Sequence, residues 1–285
     1  MYTNPSLTVV SREPASLPGM RSFSTVMKGV LAALAVVLLS FGTSAYAVDG
    51  PYVGVGGSLS LLNGSDVTAP AREGYPSLNA NTANDTGFAV RGMAGYAFPS
   101  GFRVEGEIDY RRHGIDEMDV KSPGALVKLA VDGAIARGLL PAGTEYAQLP
   151  SAQQARFNDA AKGTQSIDGN FSMLAFMANV DYDFDMGSPW VPYIGGGLGV
   201  ATISVDAESA AGTSLVDDSD TVFAYQVGAG IGYEFPLEEG RSITVSLDWR
   251  YFGTQAPTFK GDVSGEDFEA TINGHDIGIG LIYGF

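Results

Sequence analysis

The sequence predicts an all-β protein: an eight-stranded antiparallel up-and-down β-barrel that crosses a membrane on its strands. Three observations predict it. Eight segments alternate apolar and polar residues with period two, the mark of strands whose two faces meet different surroundings. The connections between those segments alternate long and short. The chain closes on an aromatic, Phe285, at the end of an alternating apolar series.

Composition narrows the class first. The 285 residues contain no cysteine, which excludes a disulfide framework, thiolate metal sites and cysteine nucleophiles. Charged residues make up only 17%, beside 38 glycines and 11% aromatics, a balance that suits sheet better than a helical bundle. The net charge is −16. Without residues 1–47, 13 basic and 31 acidic residues remain, a net of −18. Such a surface repels phosphates, so nucleic acid is not an expected partner.

Residues 1–47 read as an export signal. Gly29 to Gly42 is an apolar run, preceded by Arg21 and Lys28 and followed by Ala45-Tyr46-Ala47. Small residues there suit signal peptidase, with cleavage expected after Ala47. The run is shorter than the ~20 residues of a spanning helix, which argues against a retained anchor. Met20 and Met27 are alternative starts. Residues 48–285 are then the barrel.

The eight segments follow in order. Tyr52–Leu62 places Val53, Val55, Leu59 and Leu61 on one face. Gly87–Phe98 sets Phe88, Val90, Ala94 and Tyr96 against Arg91. Phe102–Arg111 is the cleanest: Phe102, Val104, Ile108 and Tyr110 alternate with Arg103, Glu105, Glu107, Asp109 and Arg111. Asn170–Phe184 sets Leu174, Phe176, Val180 and Tyr182 against Asn179, Asp181 and Asp183. Val191–Ile203 and Phe223–Phe235 alternate apolar residues with glycines. Ile243–Tyr251 sets Val245, Leu247 and Trp249 against Ser246, Asp248 and Arg250. Asp276–Phe285 sets Ile277, Ile279, Leu281, Tyr283 and Phe285 against glycines. Each is about as long as a tilted strand needs to cross hydrocarbon, ~9–11 residues.

Alternation alone also fits a soluble sandwich. The connections argue otherwise. The long ones are 63–86, 112–169, 204–220 and 254–273; the short ones lie at Pro99–Gly101, Asp185–Pro189 and Pro236–Gly240. Membrane barrels have long outer loops and short periplasmic turns. The second long loop carries two helix-compatible pieces, Pro123–Leu140 and Ser151–Lys162.

Three stretches carry a family resemblance: Met177–Phe184, Pro192–Val200 and Phe223–Gly230. They resemble the outer-membrane β-barrels of alphaproteobacteria, a family of porin-like and OmpA-type barrels that includes the rickettsial major surface antigens. The resemblance covers roughly 51–285 and implies an outer-membrane location. It implies roles among surface antigen, adhesin, integrity protein and weak porin. It also implies outer-membrane lipid and lipopolysaccharide as surroundings, with periplasmic chaperones and the barrel-assembly machinery as partners in biogenesis. Ile279, Leu281, Tyr283 and Phe285 resemble the signal which that machinery reads. No peptidoglycan-binding domain is expected after the last strand.

The candidate site is the inward face. Arg91, Arg103, Glu105, Glu107, Asp109, Arg111, Asp181, Asp248 and Arg250 are expected to form a polar network in the lumen. With the turn at Pro99–Gly101, residue 91 faces 109, and an Arg91–Asp109 cross-strand pair is expected. The network reads either as a cation-preferring pore or as a plug; eight strands leave an interior just filled by side chains, which favours the plug. No cofactor, metal or catalytic residue is expected. His113 and His275 lack ligand spacing and read as solvated loop residues. Asp217, Asp218, Asp220 and Glu266, Asp267, Glu269 read as solvated loop faces, with divalent cations near lipopolysaccharide as the alternative; neither has calcium-loop spacing. The glycine strings at 195–199 and 228–232 lack nucleotide-loop spacing and read as small inward positions. The expected function is non-enzymatic: membrane integrity and display of loops to a host or phage ligand. The alternative is a small porin for passive diffusion.

Overall fold

The computed structural model describes residues 49–285 apart from 72–73, 85, 210–211 and 263–266. The expected export signal lies outside the described residues. The strands in chain order are β1 (Gly50–Leu62), β2 (Ser65–Ala69), β3 (Leu78–Asn84), β4 (Gly87–Ala97), β5 (Phe102–Pro123) and β6 (Gly163–Asp183). Then come β7 (Trp190–Ser209), β8 (Ser214–Pro236), β9 (Ser242–Thr254), β10 (Thr258–Lys260), β11 (Asp267–Ala270) and β12 (Asn273–Gly284).

Eight of them close a ring of antiparallel neighbours: β1, β4, β5, β6, β7, β8, β9 and β12, with β12 paired back to β1. The Phe285 N–H donates to the Pro51 carbonyl at 3.1 Å, sealing the first and last strands together. A closed ring leaves no unpaired strand edge, which is what allows a sheet to sit in hydrocarbon. The short turns hold for local reasons. At Pro99–Gly101 the Gly101 N–H donates to the Phe98 carbonyl at 2.9 Å with Gly101 at φ 85°, a left-handed conformation that favours glycine.

The outer face of this ring is apolar. Val55, Leu59, Ile108, Phe176, Leu198, Val227, Leu247 and Ile279 are all exposed. Aromatics flank the band at both ends. Near the short turns, Tyr96–Phe98, Phe102–Tyr182, Trp190–Tyr233 and Tyr283–Phe285 lie with ring centroids 4.8–5.0 Å apart. At the far end, Tyr225, Tyr251, Trp249 and His275 form a second cluster. An apolar belt between aromatic girdles is the exterior of a membrane barrel.

The long connections are not irregular loops. β5, β6, β7 and β8 run on past the outer girdle, and four short strands stand in where β1, β4, β9 and β12 stop. β3 pairs with the far end of β5, β2 with β3, β11 with β2 and β10 with β11. Gly261, just after β10, bridges Val216 of β8. A second ring thus stands on the first. The expected loop 204–220 is mostly strand, because its residues still alternate, now with polar residues outward. Against β3, a register shift between Ile115 and Glu117 leaves Asp116 as an extra residue in β5, so that Met118 and Val120 face inward like Ile115.

Connection 112–169 carries two helices, α1 (Val127–Ala136) and α2 (Ser151–Ala160), within the two helix-compatible pieces. Val127, Val131, Tyr146 and Leu149 pack as a small core of their own. Tyr75 stacks on Tyr146 at 5.2 Å, fastening connection 63–86 to these helices. The Tyr146 hydroxyl donates to Asn158 Oδ1 at 2.9 Å.

Candidate functional site: a filled lumen beneath an apolar chamber

The inward residues of the spanning ring are charged and buried. Arg91, Arg103, Glu105, Glu107, Asp109, Arg111 and Asp248 are each less than a tenth exposed. Asp181 and Arg250 also point into the lumen, with side chains 14% exposed. Glycines opposite them make the room. A Cβ at Gly56 would sit 2.7 Å from Arg91 Nε, and one at Gly195 would collide with the Asp181 carboxylate.

The pairing differs from the expected one. Arg91 and Asp109 do stand opposite each other across β4 and β5. Their charges pair elsewhere. Arg91 reaches Asp248 on β9 at 2.5 Å, and Asp109 binds Arg111 two residues along its own strand at 2.9 Å. A long guanidinium points into the lumen rather than along the sheet, so its partner comes from across the barrel. Arg250 Nη1 donates to Glu107 Oε2 at 2.6 Å and Arg250 Nε reaches Asp248 Oδ1 at 3.4 Å. β5 and β9 are diametrically opposed in the ring, so the Arg250–Glu107 bond spans the whole lumen.

Neutral side chains extend the network. Gln226 Nε2 donates to Glu107 Oε1 at 3.0 Å and to Asn179 Oδ1 at 2.7 Å. Asn179 Nδ2 donates to Glu105 Oε1, and the Tyr52 hydroxyl donates to Glu105 Oε2, both at 2.9 Å. Toward the short turns, Arg103 binds Asp183 at 2.9 Å and lies between the Tyr52 and Tyr193 rings. Toward the far end, Arg111 reaches Asp276 at 3.2 Å and covers the Phe252 ring at 4.0 Å. Asp183 and Asp276 are network members that the candidate set omitted. Their inward parity in alternating segments is the signal that picks them out.

Above the Arg111 layer the interior changes character. Ile115, Met118, Phe171, Ile203, Ala207, Val216 and Phe259 are buried in one apolar core. All of these but Ile203 line a cavity of about 130 Å³. Ala125 and Leu126, from the start of the helical connection, reach this upper chamber.

Three further expectations are corrected. His113 is not a solvated loop residue; it is buried on β5, 6.0 Å from the Phe171 ring. His275 is half-buried between Trp249 and Tyr251. Asp218 and Asp220 are not simply solvated either. Asp218 Oδ2 accepts the Lys260 N–H at 2.8 Å, and Asp220 Oδ2 accepts the Thr258 N–H at 2.9 Å. They clip β10 to β8. The Lys260 and Ser219 N–H groups hold the Asp218 carboxyl below the usual aspartate range. Among the described residues, no group of three or more acidic or histidine side chains is placed to hold a metal ion.

The family model for the outer membrane protein beta-barrel domain matches residues 32–285. The chain belongs to that family. As a family member it is an integral protein of the Gram-negative-type outer membrane, with the short turns facing the periplasm and the second ring outside. Among solved structures it is similar to Neisserial surface protein A, at 17% identity over 84% of this chain and 100% of that one, TM-score 0.41. It is similar to OprG from Pseudomonas aeruginosa, at 14% identity over 83% of this chain and 97% of that one, TM-score 0.43. The outer membrane protease OmpT from Escherichia coli matches at 9% identity over 86% of this chain and 100% of that one, TM-score 0.39. No curated protein matches the chain.

Proposed function

We propose that this protein is a non-enzymatic, non-conducting outer-membrane barrel that supports membrane integrity and holds a rigid folded head on the cell surface. One observation carries the reading. The lumen is crossed at mid-height by the Arg91–Asp248–Arg250–Glu107 chain, with contacts of 2.5–3.4 Å, in which Arg250–Glu107 joins opposite walls. Buried, mutually paired charges of this kind hold a barrel interior shut, whereas a diffusion pore needs a wet path. The head, in turn, is tied down by strand pairing and the Tyr75–Tyr146 stack, which suits presentation of a fixed surface to a host or phage ligand.

The resemblance to alphaproteobacterial barrels and rickettsial surface antigens is compatible with surface display and does not by itself choose between display and weak conduction. Residues 1–47 act in this reading as the export signal. Ile279, Leu281, Tyr283 and Phe285 act as the assembly signal, read after periplasmic chaperones deliver the chain. His113, packed against Phe171 inside the barrel, is poorly placed to serve a hydrolase.

The test is planar-bilayer conductance of the protein isolated from outer membranes and shown to be folded by its heat-dependent gel mobility. Silence is the expected result. Reproducible cation-selective steps would overturn the reading in favour of the small porin.

A further inference from the structure

The cavity in the second ring belongs neither to the lumen network nor to surface display. Its walls come from the end of β1 and from β2, β3, β5, β6, β7, β8, β10 and β11, so every outer hairpin contributes. Among the described residues that line it, only Ser65, Thr82 and Asp267 are polar; Val67, Met118, Phe171, Val216, Phe259 and Phe268 are among the rest. Protein interiors contain few voids larger than a water molecule, because packing closes them. This one measures about 130 Å³. Apolar cavities of about 150 Å³ stay dry and take up benzene. The exterior at this height is polar, with Asp168, Asn170, Ser204, Asp206, Asp217 and Ser219 exposed, so the cavity stands above the hydrocarbon band rather than inside it. Below it, Arg111 and Phe252 close the floor.

We infer that this chamber is a binding site for a small hydrocarbon group, on the order of a benzene ring, reached from the cell-surface side. The apolar walls supply the affinity. The ion-paired lumen beneath makes the chamber a cup and not a passage. The inference does not depend on surface display, and conductance does not test it.

The experiment uses the protein isolated from outer membranes in lipid nanodiscs, with methionine methyls carrying a carbon-13 label. Benzene is titrated while the Met118 methyl resonance is followed, with Met93 in the lumen and Met186 in a periplasmic turn as references. A saturable shift at Met118 absent from Met93 and Met186 is expected. Ala270→Leu and Ala69→Leu, which place a larger side chain in the cavity from β11 and from the end of β2, are each expected to weaken the binding at least tenfold. Heat-dependent gel mobility verifies that each variant is folded. With saturation established, nuclear Overhauser contacts from Met118 to acyl protons before benzene is added identify a lipid chain as the resident hydrocarbon; without them the site takes free hydrocarbons. A linear shift shared by all three methyls is bulk partitioning and overturns the proposal. So does unchanged binding in both folded variants.

Discussion

The two storeys of this barrel use the same strands with opposite polarity. Along β6, Leu174, Phe176 and Val180 face out while Asn179, Asp181 and Asp183 face in; farther along, Asp168 and Asn170 face out while Phe171 and Met173 are buried inside. Along β7, Leu198 and Val200 face out below, and Ser204, Asp206 and Glu208 face out above, with Ile203 and Ala207 within. The period-two backbone is indifferent to which face is apolar. The surrounding medium decides. In hydrocarbon the outside must be apolar, so the inside collects the polar groups and must satisfy them. In water the ordinary rule returns and the apolar side turns in.

The comparison breaks most readily at the lumen. Arg250→Ala leaves Glu107 and one oxygen of Asp248 without their cation in a buried setting. Removing one partner of a buried pair costs about 3–5 kcal/mol. The urea midpoint of folding into vesicles is therefore expected to fall by the equivalent of that amount. Replacing both ends, Arg250→Met with Glu107→Leu, removes the stranded charge and is expected to recover much of the loss. Equal destabilisation in the single and double variants would mean that the pair is not the unit that fills the lumen.

How much of this was legible in the sequence follows the same division. The lower storey is written in long alternating runs with apolar aromatics at their ends, and its eight segments correspond to the eight strands of the ring. Register across the Pro99–Gly101 turn was also legible, since a tight turn fixes it. The choice of Asp248 as the partner of Arg91 was not. That contact joins residues 157 positions apart and depends on barrel closure. The upper storey looks like loop in the sequence because its apolar inward residues come in short, interrupted stretches, with small ones such as Val205, Ala207 and Val216 among them, and many outward ones are acidic. β2, β10 and β11 are only 3–5 residues long and have no hydrophobic run to mark them.

A charge placed on the outside sharpens the boundary between the storeys. Leu198→Arg puts a guanidinium in the apolar band and is expected to cost about 2–4 kcal/mol, as lipid-facing arginines do near the bilayer centre. Ser204→Arg, six residues farther along the same strand and on the same face, is expected to cost about 0–1 kcal/mol. Paired unfolding titrations in vesicles measure both. Similar penalties at the two positions would place the second ring within the bilayer and erase the difference in surroundings between the storeys.

The smallest effect concerns the seam that completes the upper ring. Asp218 is held in its ionised form by the N–H groups of Lys260 and Ser219, which lowers its pKa from the ordinary 3.8. A carboxyl depressed in the folded state adds stability above its unfolded value and loses it as pH falls through the folded one. The seam between β8 and β10 is thus firm at neutral pH and is expected to loosen only below about pH 3.8, the ordinary value that the folded group undercuts. Amide hydrogen exchange at Lys260 reads it directly. Asp218→Ala is expected to speed that exchange at neutral pH and to leave the amides of the β4–β5 ladder in the spanning ring unchanged. Slow exchange in the variant would show that the Val216–Gly261 bridge, and not the carboxylate, holds β10 in place.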